Sequence, residues 1–559
     1  MKKPLKVCSL LLALLLTLTT FVSCDVGGII DMLEKANQSS GRPSDTVETE
    51  AQTSRVEITY DTLMPEPEDT EPETPDEPET PDEPETPDDG NNSGNTGNTP
   101  DDGNNNSENA NKAPVPEKNW QGREFRVLAT RNAYEPNFEI VGDAYSDSLS
   151  KAVYERNEAV KEFCNAEILD VALDEDAFDA LEKDFEVGGG EYDLVFLIRD
   201  DMSSAIQRGF MKDLTKVEYI NLENEWYNQS TIESMKISGR LYHLTSSFSL
   251  TDKARTATLF FNRDMADRLQ LGVDVISEVK AGTWTIDKMY SMISIVAAGG
   301  DTNGNGQVDK TDTFGISGCG SESATNIWAG MGNTLVNFNN GSDYGSEILT
   351  DRSLNGLETI KNMFSINEWK GFTGSEDRVW KKDYDAPLTA FVEERALFTS
   401  DIMGAIVDIA ESADFAYTAI TFPKYDLDQE RYYATNDNTY SSSFGIPYMA
   451  ADISFSGYMI EVLSWKSHTT TYPEYYQVRC MVQKSYDPVC AEMLQLNYEG
   501  LVFDFGFMFS NTVTFKKALE TYTTNSKNTQ GVASLYETHA VSSNNSIEGI
   551  ILTIEELPE

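Results

Sequence analysis

Tyr192-Asp193-Leu194-Val195-Phe196-Leu197-Ile198 is a continuous apolar run of strand length, and its reading decides the fold class. A run without polar alternation belongs to a strand covered on both faces, as in parallel sheets flanked by helices. The sequence upstream keeps the same rhythm. Arg123-Glu-Phe-Arg-Val-Leu-Ala129 reads as a short strand. Ser148 to Phe163 has helical spacing, with Leu149, Val153, Val160 and Phe163 on one side. Ala166 to Val171 reads as a second strand, and Phe178 to Phe185 as a helix ending at Gly188-Gly189-Gly190. Strand, helix, strand, helix, strand predicts an α/β chain with a largely parallel sheet. Ligands of such sheets bind beyond the carboxyl ends of the strands. That rule points to Thr130-Arg131-Asn132 and to Arg199-Asp200-Asp201.

Outward from this core the chain runs about 440 residues past Trp120, too many for one compact core, so two lobes are expected. The other end carries a processing signal. Lys2, Lys3 and Lys6 precede an apolar run from Leu10 to Leu16, and Phe21-Val22-Ser23-Cys24 closes it. The run is too short for a comfortable membrane span. Its ending resembles a bacterial lipobox, with Phe21 where Leu is usual and Cys24 as the lipid acceptor. Residues 1–23 are therefore expected to be a lipoprotein signal peptide and 24–35 a lipid-anchored N-terminus. Several acyl chains anchor far better than one, since each buried CH2 contributes about 0.8 kcal/mol.

Residues 36–116 change character. Thr74 to Glu85 is two copies of Thr-Pro-Asp-Glu-Pro-Glu, and an Asn/Gly/Ser/Asp-rich tract follows from Gly90 to Asn111. This composition buries too little apolar surface to offset the entropy of ordering, so a disordered acidic tether is expected. Fully extended, it would reach roughly 250 Å at about 3.1 Å per residue. The tether holds 21 acidic and three basic residues, a charge of −18. With +1 on residues 1–35, the whole-chain charge of −50 leaves −33 on residues 117–559. A body this acidic lacks the basic surface that phosphate backbones require, which excludes nucleic-acid binding. Cys164, Cys319, Cys480 and Cys490 show no Cys-x-x-Cys spacing, so no zinc or redox motif is supported. Cys480 and Cys490 could close a ten-residue loop; buried thiols are the alternative.

The order of several further segments resembles the extracellular solute-binding proteins of ABC importers, the carbohydrate type that includes maltose-binding protein. Tyr192-Asp-Leu-Val-Phe196 is followed by Gly209-Phe-Met-Lys-Asp-Leu-Thr215, then Ser238-Gly-Arg-Leu-Tyr-His-Leu244. Leu259-Phe-Phe-Asn-Arg-Asp264 is similar to the strand that enters the second lobe. Gly282-Thr-Trp-Thr-Ile-Asp287 is similar to a helix start, and Phe415 to Tyr425 to a late strand. The resemblance covers roughly 119–520. Ala396-Leu-Phe-Thr-Ser-Asp-Ile-Met-Gly404 departs from the family's aromatic-rich stretch. It implies a periplasmic-binding-protein-like fold of two α/β lobes with hinge-crossing segments. Lobe 1 is expected at about 117–255 and 440–475, and lobe 2 at about 256–439 and 476–559. It also implies a monomer that closes on a small solute, hands it to permease subunits and performs no chemistry. The expected location is the extracellular face of the cell membrane, held by the anchor.

Asp301 to Asp312 has the spacing of a calcium loop. Asp301, Asn303 and Asn305 supply hard oxygens at positions 1, 3 and 5, and Gly306 falls at the sharp turn. Gln307 offers its carbonyl, and Asp309 and Asp312 fill positions 9 and 12. Asp at position 12 has a shorter arm than the usual Glu, so modest affinity and a structural Ca2+ are expected. Trp226, Trp328 and Trp380 follow polar or Gly-rich stretches where a cleft aromatic could stack on a sugar ring, whereas Trp284 and Trp465 read as core. Asp200 follows the buried strand and is similar to an acidic ligand position of sugar binders; Arg199 and Asp401 are further candidates. No Gly-x-Ser-x-Gly, P-loop or His-Glu-x-x-His occurs, and the three histidines are isolated. The competing readings are a calcium-stabilised surface adhesion or polysaccharide-binding protein, and a surface glycoside hydrolase.

Overall fold

The computed structural model describes residues 113–130, 139–171, 176–302, 304–306, 311–318, 320–340, 343–366, 385–436, 440–481, 488–524 and 530–557, all within one unit spanning 101–559. The signal, Cys24 and the tether up to residue 112 lie outside the described residues.

Eight strands build two four-stranded sheets. In chain order they are β1 (Arg123–Ala129), β2 (Ala166–Val171), β3 (Leu194–Ile198), β4 (Ala257–Asn262), β5 (Phe314–Gly318), β6 (Ala396–Ile402), β7 (Tyr417–Ile420) and β8 (Ser442–Gly445). The first sheet has the order β8-β3-β1-β2. β1 pairs in parallel with β2 and β3, with Val127 opposite Leu194. β8 joins antiparallel, with Phe444 opposite Phe196. The second sheet has the order β5-β6-β4-β7, in which β5 and β6 are parallel and β4 runs against β6 and β7.

Local chemistry explains the elements. The helix Ser148–Cys164 starts where Asp147 accepts from the N–H groups of Leu149 and Ser150, and stops at Asn165 in the left-handed conformation. The helix Ala177–Val187 is capped by Asp176 and ended by Gly188 at φ 108°. Leu194 to Leu197 are all fully buried, as a strand with helices on both faces requires. Around the first sheet, Phe125, Phe196, Phe444, Phe455 and Tyr458 form one core. Around the second, Leu259, Phe398, Trp284, Ile316 and Ile420 form another. No helix among the described residues is long and apolar enough to cross a membrane.

The chain passes between the sheets at Leu244–Thr256 and again between Thr435 and Ser442. Residues 437–439 of the second passage lie outside the described residues. A short parallel pair, Ala434–Thr435 with Leu501–Val502, sits beside it. Cys490 is buried. The side chain of Cys480 lies outside the described residues, so the proposed ten-residue bridge does too.

Candidate functional site

The first half of the site comes from the end of β3. The residues expected to form a loop, Arg199-Asp200-Asp201, are instead the first turn of the helix Arg199–Gln207. No side chain caps that turn, and Asp200 and Asp201 place negative charge at its positive end. Arg199 is 8% exposed. Its Nε donates to Asp200 Oδ1 at 3.2 Å, and its backbone N–H donates to the carbonyl of Ser441 at 2.9 Å. Burial pushes the Asp201 carboxyl up to about 6, helped by negative charge on Asp176, Asp200 and Asp179. Thr130 ends β1 beside it, donating its N–H to Phe196 at 3.0 Å; Arg131 and Asn132 lie outside the described residues.

The crossing segment supplies the middle. Lys253 is fully buried. Its Nζ donates to the carbonyl of Ser246 at 2.8 Å and to Tyr498 Oη at 3.2 Å. It also donates to the carbonyl of Ser249 and faces Asp252 Oδ1 at 3.5 Å. Tyr498 Oη donates to the other Asp252 oxygen at 2.9 Å. Asn436 Nδ2 donates to the Asp252 carbonyl at 3.1 Å, which ties the second passage to the first. Burial lowers the Lys253 pKa and raises that of Asp252. Two residues further, Arg255 is 8% exposed and lies 5.6 Å from the ring centre of Tyr440.

The second half comes from the ends of β5 and β6, where Gly318 stands opposite Ser400. Gly318 has φ +145°, and a Cβ there would lie 2.4 Å from Ser323 Oγ and 2.8 Å from the Ser400 carbonyl. Only glycine lets the strand turn so sharply into the helix Gly320–Gly330. Asp401 sits at the end of β6. Burial pushes its carboxyl up to about 6, Glu322 and Asp408 add to the rise, and Arg255 opposes it. Asp401 at the end of β6 and Glu322 in the helix Gly320–Gly330 thus share a field with Arg255, whose guanidinium lies over Tyr440. Tyr440 adjoins Ser441, the partner of Arg199.

Of the sequence-predicted residues, Arg199 and Asp200 thus lie at the end of β3, and Asp401 lies at the end of β6. The tryptophans do not join them. Trp328 is fully buried, and its Nε1 donates to Ser353 Oγ at 2.8 Å. Trp226 is 7% exposed and sits beneath the crossing, where Ser247 donates its N–H to the Trp226 carbonyl at 2.9 Å. Neither offers a ring face to a solute, which corrects that expectation. Polar or glycine neighbours in the sequence do not report which way a helical or loop ring turns. Trp380 lies outside the described residues. Arg255, Glu322, Ser323, Tyr440 and Ser441 went unread. The signal for Glu322 and Ser323 was Gly318-Cys319-Gly320 after Phe314-Gly315-Ile316-Ser317, a strand-to-helix turn.

In the Asp301–Asp312 loop, Asn303, Gln307 and Asp309 lie outside the described residues. Asp301 accepts from the N–H groups of Gly304 at 2.8 Å, Asn305 at 3.1 Å and Gly306 at 2.8 Å. Asp312 is fully buried and accepts from the Thr302 N–H at 3.0 Å and hydroxyl at 3.1 Å. Gly306 has φ +81°, as the turn position demands. The Asp301 and Asp312 carboxylates are thus both folded onto the backbone of residues 302–306. Among the described residues no group of three His, Cys, Asp or Glu side chains forms a metal cluster.

No protein-family model and no curated protein matches the sequence. Solved structures do match. A cyclo/maltodextrin-binding protein complexed with maltotetraose is 13% identical, with a TM-score of 0.50 over 77% of this chain and 99% of that one. The galacto-N-biose/lacto-N-biose I-binding protein of an ABC transporter from Bifidobacterium longum is 10% identical, with a TM-score of 0.48 over 77% and 98%. An ABC substrate-binding protein from Listeria monocytogenes, in complex with cycloalternan, is 12% identical, with a TM-score of 0.46 over 76% and 99%. The fold is that of the two-lobed solute-binding proteins.

Proposed function

We propose that this protein captures a small solute, a sugar or oligosaccharide, between its two sheets and delivers it to an ABC importer, without chemistry of its own. The observation that supports the reading is the pair of α/β sheets joined by two crossing segments, with Arg199 and Asp200 at the end of β3, Asp401 at the end of β6 and Arg255 on the first crossing. Carboxylates accept hydrogen bonds from sugar hydroxyls, guanidinium groups donate to them, and a tyrosine ring covers a C–H face. The structure that matches at a TM-score of 0.50 holds maltotetraose, which agrees with this donor and acceptor set. Hinge bending at the two crossings would close the lobes on the ligand. Cys24 would carry the lipid and residues 36–116 would act as the tether, placing the body on the extracellular face of the membrane. Asp301, Asn303, Asn305, Gln307, Asp309 and Asp312 would hold a structural Ca2+ that pins a loop of the second lobe.

Thermal melting of the full chain tests the reading. The panel holds mono- and oligosaccharides, amino acids and polyamines, first with calcium and then with chelator. A ligand that binds only the folded state raises the melting point by mass action. A rise with one sugar class, abolished in Asp200→Asn, supports capture. A fall with chelator, absent in Asp312→Asn, supports the calcium loop. If no small molecule shifts the melt, the importer reading is abandoned for a polysaccharide or protein partner.

A further inference from the structure

The helix Gly320–Gly330 starts at the cleft group and ends at a different concavity. Eleven residues at 1.5 Å per residue separate the two by about 16 Å. The concavity encloses about 270 Å3, and Asn333, Asn337, Glu347, Tyr433, Thr435 and Asp504 supply its polar lining. It shares no residue with the cleft group. Close backbone approaches shape it. A Cβ on Gly330 would lie 2.4 Å from Phe422 Cβ, and one on Gly332, at φ +78°, would lie 3.1 Å from the Tyr433 ring.

The lining is held in place before any ligand arrives. Asn333 Nδ2 donates to the Trp328 carbonyl at 2.9 Å, which fixes the amide plane. Glu347 Oε2 accepts from the Thr334 N–H at 2.7 Å and hydroxyl at 3.0 Å. Asp504 is 5% exposed and accepts from the Gly506 N–H at 2.6 Å and from the N–H of Leu335. The Thr435 hydroxyl is buried and has no hydrogen-bond partner among the described residues. No Lys, Arg or His lines the space, so an anion finds no counter-charge. Acceptors, the fixed Asn333 amide, the exposed Asn337 amide and the apolar surfaces of Val502 and Phe507 suit hydroxyl groups with C–H faces between them. The volume falls below the roughly 300–1,000 Å3 of drug-sized sites, which limits the occupant to about one ring.

We propose that this concavity is a second solute site, independent of the cleft, that takes one uncharged polyol of monosaccharide size. It would let the protein respond to a small sugar while the cleft holds the transported cargo.

Titration calorimetry of the full chain with D-glucose, D-galactose and ribitol, against spermidine as the cationic control, tests this. The expected result is a polyol that binds, loses tenfold or more affinity in Asn337→Leu, and is unaffected by Asp200→Asn. Asn337 is exposed, so its replacement leaves the core intact. Glu347→Gln, which keeps an acceptor for Thr334, gives a second reading of the same site. Polyol binding that is lost in Asp200→Asn and unchanged in Asn337→Leu overturns the proposal. So does binding of spermidine alone, or no polyol binding at millimolar concentration. Polyol binding at this site with no ligand for the cleft would instead count against the proposed capture function only.

Discussion

At the residue scale, burial moves the carboxyls of Asp401 and Glu139, and each gives a pH dependence of its own. Asp401 is pushed from 3.8 to about 6. It is a full acceptor only above that value. Affinity for a hydroxyl-bearing solute is therefore expected to fall as pH drops through about 6, and Asp401→Asn should weaken binding roughly tenfold and flatten this dependence. Calorimetry at pH 5 and pH 8 measures both; equal wild-type affinity at the two values removes Asp401 from the site. Glu139 is a stability case. It is fully buried, its carboxylate accepts from the Thr251 hydroxyl at 3.0 Å, and burial pushes it from 4.5 to about 7. Arg156 donates to the Glu139 carbonyl at 2.5 Å, Asp252 lies near enough to raise the carboxyl further, and the backbone N–H of Thr251 opposes that. Because the folded value is raised, its contribution is fully present below 4.5 and is lost as pH rises through 7. Glu139→Gln should remove up to about 3 kcal/mol of pH dependence between those values, read as melting temperature against pH. An unchanged slope would show that Glu139 does not titrate in this range.

At the element scale, the turn from β5 into the helix Gly320–Gly330 is the most constrained feature of the second lobe. Gly318→Ala places a methyl against Ser323 and the Ser400 carbonyl at a φ that L-residues avoid, and should cost about 1–3 kcal/mol. Urea unfolding reads this directly; a midpoint shift below a few tenths of a kcal/mol would mean that the helix start relaxes freely. The elements themselves were largely legible. β1 and β2 fall at the residues expected, and β3 begins two residues later than its apolar run, at Leu194. Each of these strands carries its burial in its own composition. β8 could not be read, because Ser442-Ser443-Phe444-Gly445 looks like a turn and is a strand only through its pairing with β3. That pairing brings Tyr440 and Ser441 to the site, so the missed strand and the missed residues have one cause. Arg199 to Asp201 were placed at the correct strand end but in the wrong state. The helix begins at once, with no Ser, Thr, Asp or Asn cap to announce it.

At the scale of the whole molecule, the two segments that pass between the sheets are tied together around Lys253 and Asp252. Lys253 touches the first crossing through Ser246 and Ser249 and the helix Pro488–Glu499 through Tyr498, while its partner Asp252 holds Asn436 of the second passage. A charge buried this completely is tolerated because Asp252 balances it and neighbouring oxygens satisfy its protons. Lys253→Met keeps the bulk and removes the charge, leaving the buried Asp252 with Tyr498 and Ser249 but no counter-charge. The expected loss is about 3–5 kcal/mol of unfolding free energy. Asp252→Asn should be costly for the mirror reason, because the ammonium is then left without its counter-charge. The two losses share one interaction, so the double variant should recover much of the difference, and a double-mutant cycle in urea measures the coupling. A coupling below about 0.5 kcal/mol would mean that the crossings are held by apolar packing and that the pair is a passenger. A large coupling with an unaltered ligand-induced fall in scattering radius would place the pair in stability alone. A large coupling in which Lys253→Met also abolishes that fall makes it the pivot on which the lobes turn.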